Sequence, residues 1–546
     1  MDSPRDFLRS HRAAIAIGTL VTAGIMLTAI FSVDAAYNYP RMITDQLRYY
    51  MKALSFINDG TLAAREAINV GPFTYAATPG LLRVPMIWAF GDFDNQLRAI
   101  QVVNVLLGII MATMAAYILA WVVPRRFHWV AVGFSFATML LNPVWVTNIL
   151  SPLADLPYAV ASLGAVIVLN RLLRGTDAER TSIVLKILFV LLFVVAFGCR
   201  YTAPIILVYG WLLFRRQKKV AESRPGARRA FIVVGALLAI LVIADFQTIV
   251  FGYLWQPWQF LLNANKVSLL LNTFALAFPS QVIPGFGLLY RAPPLELYSP
   301  EFASNPFDLG LTLLGLTISA IVVYGMWRSR RLLKPEIYYV LLPLPVLAAM
   351  IPSTARYLLS YQPFVWVFLY IGATHLAARF NLRISQRSVK VATITLVGVA
   401  AALALYIRSA RVTGGQKVTL STFSLGESRR HAPEVATTFR SLRRFLETLP
   451  KDRSLLLGTR ASTGQWKVIA GIDYYALDSA MTAVARERDL YLAMDCSTKI
   501  MCGWLDYEKK RYELRLEKYG NFNSERIFET RNDYSAGVVY RVRAAD

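Results

Sequence analysis

Six charged side chains stand beside the long apolar runs of this chain: Asp34, Asp45, Asp155, Arg200, Arg291 and Arg356. A carboxylate can act as a general base or a metal ligand, and a guanidinium can grip a phosphate through two parallel N–H bonds. Gathered on one membrane face, such a set suits a phosphorylated lipid substrate. Charges at the edges of apolar spans are costly unless paired, snorkelled or functional. That cost singles out Arg200 in FGCRYTAP and Arg356 in STARYLLSYQPF. Asp155, in SPLADLPYAV, heads a span, where the helix dipole favours a carboxylate as a functional group or simply as a cap. Asp45 opens DQLRYYMKALSFINDG, with Tyr49 one turn on. It is either a working carboxylate or an exposed charge on an interfacial helix. The four His residues are scattered, and no P-loop, zinc-protease helix or nucleophile elbow occurs.

The elements that must position these residues are membrane spans. Hydrophobic residues make up 56% of the 546 and charged residues 17%, with a mean hydropathy of +0.44. Such a chain is too apolar for a soluble protein, and its apolar residues come in long runs. The net charge of +24 could suggest a nucleic-acid partner. Most of the excess, however, lies in short tracts between apolar runs, where the positive-inside rule places it, so no nucleic acid is expected. The first run, Ala13 to Val33, follows MDSPRDFLRSHR and is long enough to span; without a convincing small-residue cleavage site it is read as a retained helix.

Counting spans from a cytoplasmic N-terminus gives about 13–33, 97–121, 128–147 and 156–173, then two short spans within 183–214 with Arg200 at the outer turn. Spans follow at about 230–252, 308–327, 337–351, 357–377 and 390–407. The basic tracts RRQKKVAESRPGARR and RSRRLLK both fall on the inner side, and everything after Arg408 falls outside. The expected fold is therefore an α-helical polytopic membrane protein of about eleven transmembrane helices (residues 1–408), followed by a soluble extracytoplasmic α/β domain (409–546). All six charges named above come out on the outer face.

Two outer parts show structure of their own. At helical spacing, Ile43, Leu47, Tyr50, Leu54 and Ile57 form an apolar stripe, while Asp45, Arg48, Tyr49 and Lys52 share another face; a loop helix over 41–58, lying on the outer leaflet, is expected. In the C-terminal domain TFRSLRRFLETL and WLDYEKKRYELRLEKYG read as helices, and SLLLGT, DLYLAM, RIFETR and GVVYRVR as strands. Cys496 and Cys502 lie close enough for a disulfide in an oxidising compartment. The absence of any Asn-x-Ser/Thr sequon favours a bacterial plasma membrane.

The order of these features resembles a family. A first span, then DQLRYYMKALSFINDG and TYAATPGLLRVPMIWAFGDFDNQLRAIQVVNVLLG, is similar to the N-terminal third of the GT-C glycosyltransferases, which include protein mannosyltransferases and the lipid A aminoarabinose transferase. The likeness continues through SPLADLPYAVASLGAVIVLNRLLRG, CRYTAPIILVYGWLLF and ARYLLSYQPF. It implies a polyprenyl-phosphate sugar donor, a lipid, glycan or protein acceptor, and an Asp of the first outer loop as catalytic carboxylate. On this chain that role falls to Asp45, supported by Tyr49, with Asp34 as the fallback. Asp155 would orient the acceptor or help hold a divalent metal, Mg or Mn, and Arg200 and Arg356, with Arg291 on the same face, would neutralise the donor phosphate. The chain carries DQ where many relatives carry DE, which leaves the choice between a metal and no cofactor open.

Two other readings share these outer charges. A transporter or flippase of a lipid-linked substrate would place ionisable groups at mid-span and show inverted repeats; only Asp245, in LVIADFQTIVFG, lies well inside an apolar run. A catalytically silent scaffold of the same fold would bind lipid without transferring sugar.

Overall fold

The computed structural model describes residues 4–32, 34–36, 45–60, 77–142, 154–174, 179–200, 202–216, 232–237, 239–240, 272–283, 306–344, 358–380, 432–451, 453–458, 473–476, 489–496, 517–519, 521–533 and 535–544, with single positions and pairs between them. The chain divides into two compact units. One comprises residues 1–26, 104–150 and 154–423, the other 27–103, 151–153 and 424–546.

The first unit is helical. Its elements are α1 (Pro4–Ser10), most of α2 (Arg12–Phe31), most of α6 (Phe93–Leu119), α7 (His128–Leu141), α8 (Asp155–Arg174), α9 (Glu179–Cys199), α10 (Ile205–Arg216), the short buried α11 (Phe278–Val282), α12 (Pro306–Ser329), α13 (Lys334–Leu341) and α14 (Gln362–Arg379). Among the described residues, four helices are long and apolar enough to cross a membrane: α2, α6, α8 over Asp155–Leu172 and α12 over Leu309–Ser329. These spans lie where hydropathy places them, and α9 and α10 are the expected short pair, with Arg200 in the turn between them. The pattern of exposure is that of a membrane domain. Ile17, Leu20 and Ile25 of α2, Ile187 and Leu191 of α9, and Leu313 and Leu314 of α12 all point outward. A helix apolar on all sides is stable in this way only where its surroundings are apolar too.

Several polar groups inside the unit are paired with one another. Trp145 Nε1 donates to Gln362 Oε1 at 2.7 Å, and Gln362 Nε2 and Trp366 Nε1 both donate to the Gln281 carbonyl, at 3.0 and 2.7 Å, which ties α14 to α11. Arginines at helix ends lie over aromatic rings: Arg215 over Trp211, Arg126 over Phe127 and Arg330 over Trp327. This is the amphipathic dressing expected at a membrane boundary. Of the other expected spans, 390–407 lies outside the described residues; so does most of 230–252, whose described positions are helical, and 337–351 is represented by α13 and Leu344.

The second unit holds the remainder of α2 and α6, α3 (Asp45–Asp59), α4 (Ala77–Leu81), α5 (Val84–Ala89), α15 (Ala432–Thr448) and a five-stranded sheet. The strands are β1 (Ser454–Gly458), β2 (Asp473–Ala476), β3 (Asp489–Cys496), β4 (Phe522–Arg531) and β5 (Ala536–Ala544), in the order β2-β1-β3-β5-β4. β1 pairs parallel with β2 and β3, whereas β5 pairs antiparallel with β3 and β4. The four expected strands are present. The short β2 was not expected, and the described positions of the expected helix over 504–520 are helical. The Cys496–Cys502 disulfide is formed and packs against Ala536 and Leu505.

α15 lies on β4 and β5 and carries the apolar face of the unit. Phe439 stacks on Trp466 and Phe445 on Phe528. Its core takes in residues from between the first two spans: Val435, Ala436, Phe439, Leu442 and Leu446 cluster with Ala36, Tyr50, Ala53, Phe93 and Leu97. Of the stripe of α3 expected to rest on lipid, Tyr50 is instead buried in protein, beside Ala53, and Leu54 and Ile57 pack at the edge of the cluster, while Ile43 and the Leu47 side chain lie outside the described residues. Gly60, at φ +66°, closes α3 in the left-handed conformation that a helix end favours.

In the first unit α12 and α14 cross at two glycines. A Cβ built on Gly325 would strike the Phe368 carbonyl, and one on Gly372 the Ile321 carbonyl. Small residues allow such an approach where lipid gives no hydrophobic drive for association. Gly325→Leu and Gly372→Leu should each cost about 1–3 kcal/mol as overpacked sites, read as a lower midpoint of thermal unfolding in detergent. Gly24→Leu, where a Cβ meets open space, should leave the midpoint in place. Equal midpoints for all three would contradict the crossing.

Candidate active site

Asp155 is the first residue of α8, so its carboxylate meets the unpaired N–H groups and positive dipole end of that helix. It is buried, at 2% exposure, and forms an ion pair with Arg200 Nη2 in the turn after α9; the arginine keeps 12% of its side chain accessible. Two residues that sequence reasoning picked out separately are thus one unit. A guanidinium held by one carboxylate still presents a flat fork of donors, and this geometry lets it serve a carboxylate and a phosphate together.

A hydroxyl cluster that sequence reasoning missed lies next to this pair. One turn after Asp155 on α8, the Tyr158 hydroxyl receives a hydrogen bond from Thr202 Oγ1 at 3.0 Å and lies 3.1 Å from the Tyr361 hydroxyl. Ser162, a turn further, bonds the Tyr339 hydroxyl, and the Tyr339 ring packs on Tyr361 and Phe364. A signal was present: Asp155, Tyr158 and Ser162 repeat at helical spacing within an otherwise apolar span. The network fixes the turn carrying Arg200, because Thr202 lies in that turn. Further along the unit, Tyr209 donates to Glu336 Oε1 at 3.2 Å, and Asn170 donates to Tyr209. Glu336 lies in the first turn of α13, where a carboxylate is favoured by the helix dipole.

In the second unit, Asp45 occupies the first position of α3; the side chains of residues 45–48 lie outside the described residues. Tyr49 and Lys52, expected on a wet face, are both buried, because α4 and α5 pack across α3. Arg83, just before α5, lays its guanidinium over the Tyr49 ring at 4.9 Å. Desolvation drives the Tyr50 hydroxyl pKa far up, against the opposing effect of Arg83, so this ring stays neutral.

Asp34, the fallback carboxylate, is engaged elsewhere. Its two oxygens accept bonds from Arg440 Nε and Nη2, both at 2.8 Å, and Oδ1 also accepts the Ala36 N–H at 2.9 Å. Partial burial raises its pKa, but the Arg440 hydrogen bonds, the Ala36 N–H and the charges of Arg440 and Arg98 outweigh that and hold it below the ordinary carboxylate value. A carboxylate whose folded pKa is depressed stabilises the fold at all pH above its unfolded value, and that stabilisation is lost as pH falls through the folded value. At neutral pH the pair is intact, and a proton taken up here would break it. Asp34 therefore has the chemistry of a clasp more than of a base.

Arg291, Arg356 and Asp245 lie outside the described residues. Among the described residues no group of three His, Cys, Asp or Glu side chains gathers as a metal site would require, and Asp155 directs an oxygen at a cation. No step is derived through a metal.

No protein-family model and no curated protein matches the sequence; the likeness is to solved structures. The crystal structure of ArnT from Cupriavidus metallidurans bound to undecaprenyl phosphate superposes over 95% of this chain and 97% of its own, at 12% identity and a TM-score of 0.52. The apo state of the same protein gives the same coverage and identity, with a TM-score of 0.50. The oligosaccharyltransferase AglB from Archaeoglobus fulgidus, in complex with an inhibitory peptide and a dolichol-phosphate, lies further off: 11% identity over 89% of this chain and 69% of that one, with a TM-score of 0.47. Over nearly its whole length, then, this chain has the fold of ArnT, an aminoarabinose transferase and one of the GT-C membrane glycosyltransferases.

Proposed function

We propose that this protein is an inverting glycosyltransferase of the plasma membrane, moving a sugar from a polyprenyl-phosphate donor to an acceptor hydroxyl on a lipid, glycan or protein. The observation that carries the reading is a folded helix outside the spans, opening on Asp45, in a chain whose fold is that of a structure holding undecaprenyl phosphate. The N-terminus is cytoplasmic and the C-terminal domain extracytoplasmic, as the basic tracts require. Residues 1–408 form the membrane domain and 409–546 the outer domain.

In this reading Asp45 accepts the proton of the acceptor hydroxyl as its oxygen attacks the anomeric carbon. The bond from that carbon to the phosphate oxygen breaks, and polyprenyl phosphate leaves with the electron pair. Direct attack inverts the anomeric centre. Charge grows on the departing phosphate, and Arg200 and Arg356, with Arg291, stabilise it more strongly there than in the ground state, which is the condition for lowering the barrier. Asp155 keeps Arg200 aimed, and the Tyr158–Thr202 bond holds the turn beneath it. Tyr49, fixed under Arg83, sets the rotation of α3 and so the direction of Asp45.

Asp45→Asn should lower transfer at least 100-fold, the scale of a general base, with membrane insertion and thermal midpoint unchanged. Mass spectrometry of envelope glycolipids, polysaccharides and glycoproteins from cells lacking the protein, complemented with either chain, reads this and names the acceptor. Equal restoration by both chains would remove Asp45 from the chemistry. Asp155→Ala should instead lose about 3–5 kcal/mol of stability by removing the carboxylate opposite Arg200 in a largely buried site, whereas Arg200→Lys should fold yet lose most of kcat, since an ammonium cannot hold carboxylate and phosphate in one fork. Native kcat in Arg200→Lys would exclude Arg200 from the leaving-group site.

A further inference from the structure

We propose that the C-terminal domain is a positioning device for the first outer loop: Arg440 of α15 clasps the two carboxylates that bracket this loop, Asp34 at its start and Asp94 at its end, and thereby holds α3 in place. The inference rests on the proposed transferase function only in taking α3 as the carrier of the catalytic carboxylate.

The geometry is specific. Arg440 meets Asp34 in a bidentate pair with both contacts at 2.8 Å, and the same Nη2 lies 3.7 Å from Asp94 Oδ2. Arg443, one turn on, reaches Asp94 Oδ1 at 3.4 Å and is itself steadied by Glu447 at 2.7 Å. A single exposed ion pair contributes about 0–1 kcal/mol, but bidentate arginines joined in a network are the favourable exception. Asp34 follows the first span and Asp94 lies in the first turn of α6, so these contacts fix both ends of the segment that carries α3. Holding two ends of a segment together removes chain entropy that would otherwise oppose any fixed loop geometry.

The apolar side of α15 completes the hold. Phe439 and Leu442 share a core with Tyr50 and Ala53 of α3 and with Phe93, whose ring packs edge-on to Tyr50 at 5.4 Å. One helix therefore grips the loop by charge at its ends and by packing at its middle. Packing on the sheet alone would not require Arg440 and Arg443 to face the loop. Arg440 is a positioning residue in this scheme, since it acts on Asp45 only through α3.

The experiment uses the full chain in lipid nanodiscs, with three variants: Arg440→Met, Asp34→Asn, and the exchanged pair Asp34→Arg with Arg440→Asp. Hydrogen exchange is followed for residues 45–59 and for strands β1 and β3, and kcat and KM are measured for transfer from the polyprenyl-phosphate sugar. Arg440→Met and Asp34→Asn should each speed exchange of residues 45–59 about fivefold, the factor for one clasp of ordinary strength, with the strands still protected. Both should lower kcat with KM nearly unchanged, and the exchanged pair, which re-forms the 34–440 bond but not the contact to Asp94, should restore both readouts in part. Restoration would also exclude Asp34 as the base, since the exchanged chain has no carboxylate there. Native exchange of residues 45–59 in both single variants overturns the proposal. If no variant, the native chain included, transfers sugar, the transferase reading falls while the exchange measurement still decides the clasp. Should Arg440→Met loosen the strands as well, Asp34→Asn, which leaves α15 untouched, decides in its place: faster exchange of residues 45–59 alone supports the clasp, and native exchange there overturns it.

Discussion

An amphipathic helix set outside a membrane span must cover its apolar stripe, and α3 covers it with protein. Tyr50, Ala53, Leu54 and Ile57 find their partners on α6 and on α15 of the C-terminal domain, segments separated by some hundreds of residues in sequence. Burial of aromatic and aliphatic side chains at ~25 cal/mol per Å² makes this contact expensive to open. Much else follows from that one choice. Residues 27–103 gather with 424–546 into one compact unit, and Tyr49 and Lys52 are buried where an exposed polar face would otherwise be.

The spans were legible in the sequence because one constraint dominates there. In lipid the backbone must satisfy its own hydrogen bonds, so a span-length apolar run has one structure open to it. α2, α6, α8 and α12 accordingly fall where hydropathy puts them. The strands β1, β3, β4 and β5 were legible for a related reason: each is a run of branched or aromatic residues bounded by turn formers. β2, only four residues long, offers too short a pattern to stand out. α3 was legible as a helix but not in its partner, since an apolar stripe reports that something greasy covers it and does not distinguish acyl chains from Phe439 and Leu442.

The charged residues show the same division more sharply. Their cost near apolar spans marks Asp155 and Arg200 as candidates one at a time; their pairing depends on α8 and α9 packing side by side, which no local spacing encodes. Asp34 was open to misreading for the same reason. Its neighbours in sequence say nothing of Arg440, although Arg440 takes both of its oxygens and lowers its proton affinity. Asp34 was the fallback to Asp45 by its place in the chain, and its bonds to Arg440 now give it a role of its own.

The two units apply electrostatics to different ends. In the helical unit, Asp155 and Arg200 are buried together, where desolvation is severe and neither charge is tolerable without the other; a pair of that kind resists disturbance and keeps a guanidinium aimed. In the second unit, Arg440, Arg443, Asp34, Asp94 and Glu447 form a network at partial exposure, where each contact is weak and reversible. Strength there comes from the shared apolar core behind the charges, and the charges add direction. The proposed transfer would draw on both kinds of fixation: a buried pair that keeps its guanidinium aimed, and a helix outside the spans held by weaker contacts over a shared apolar core.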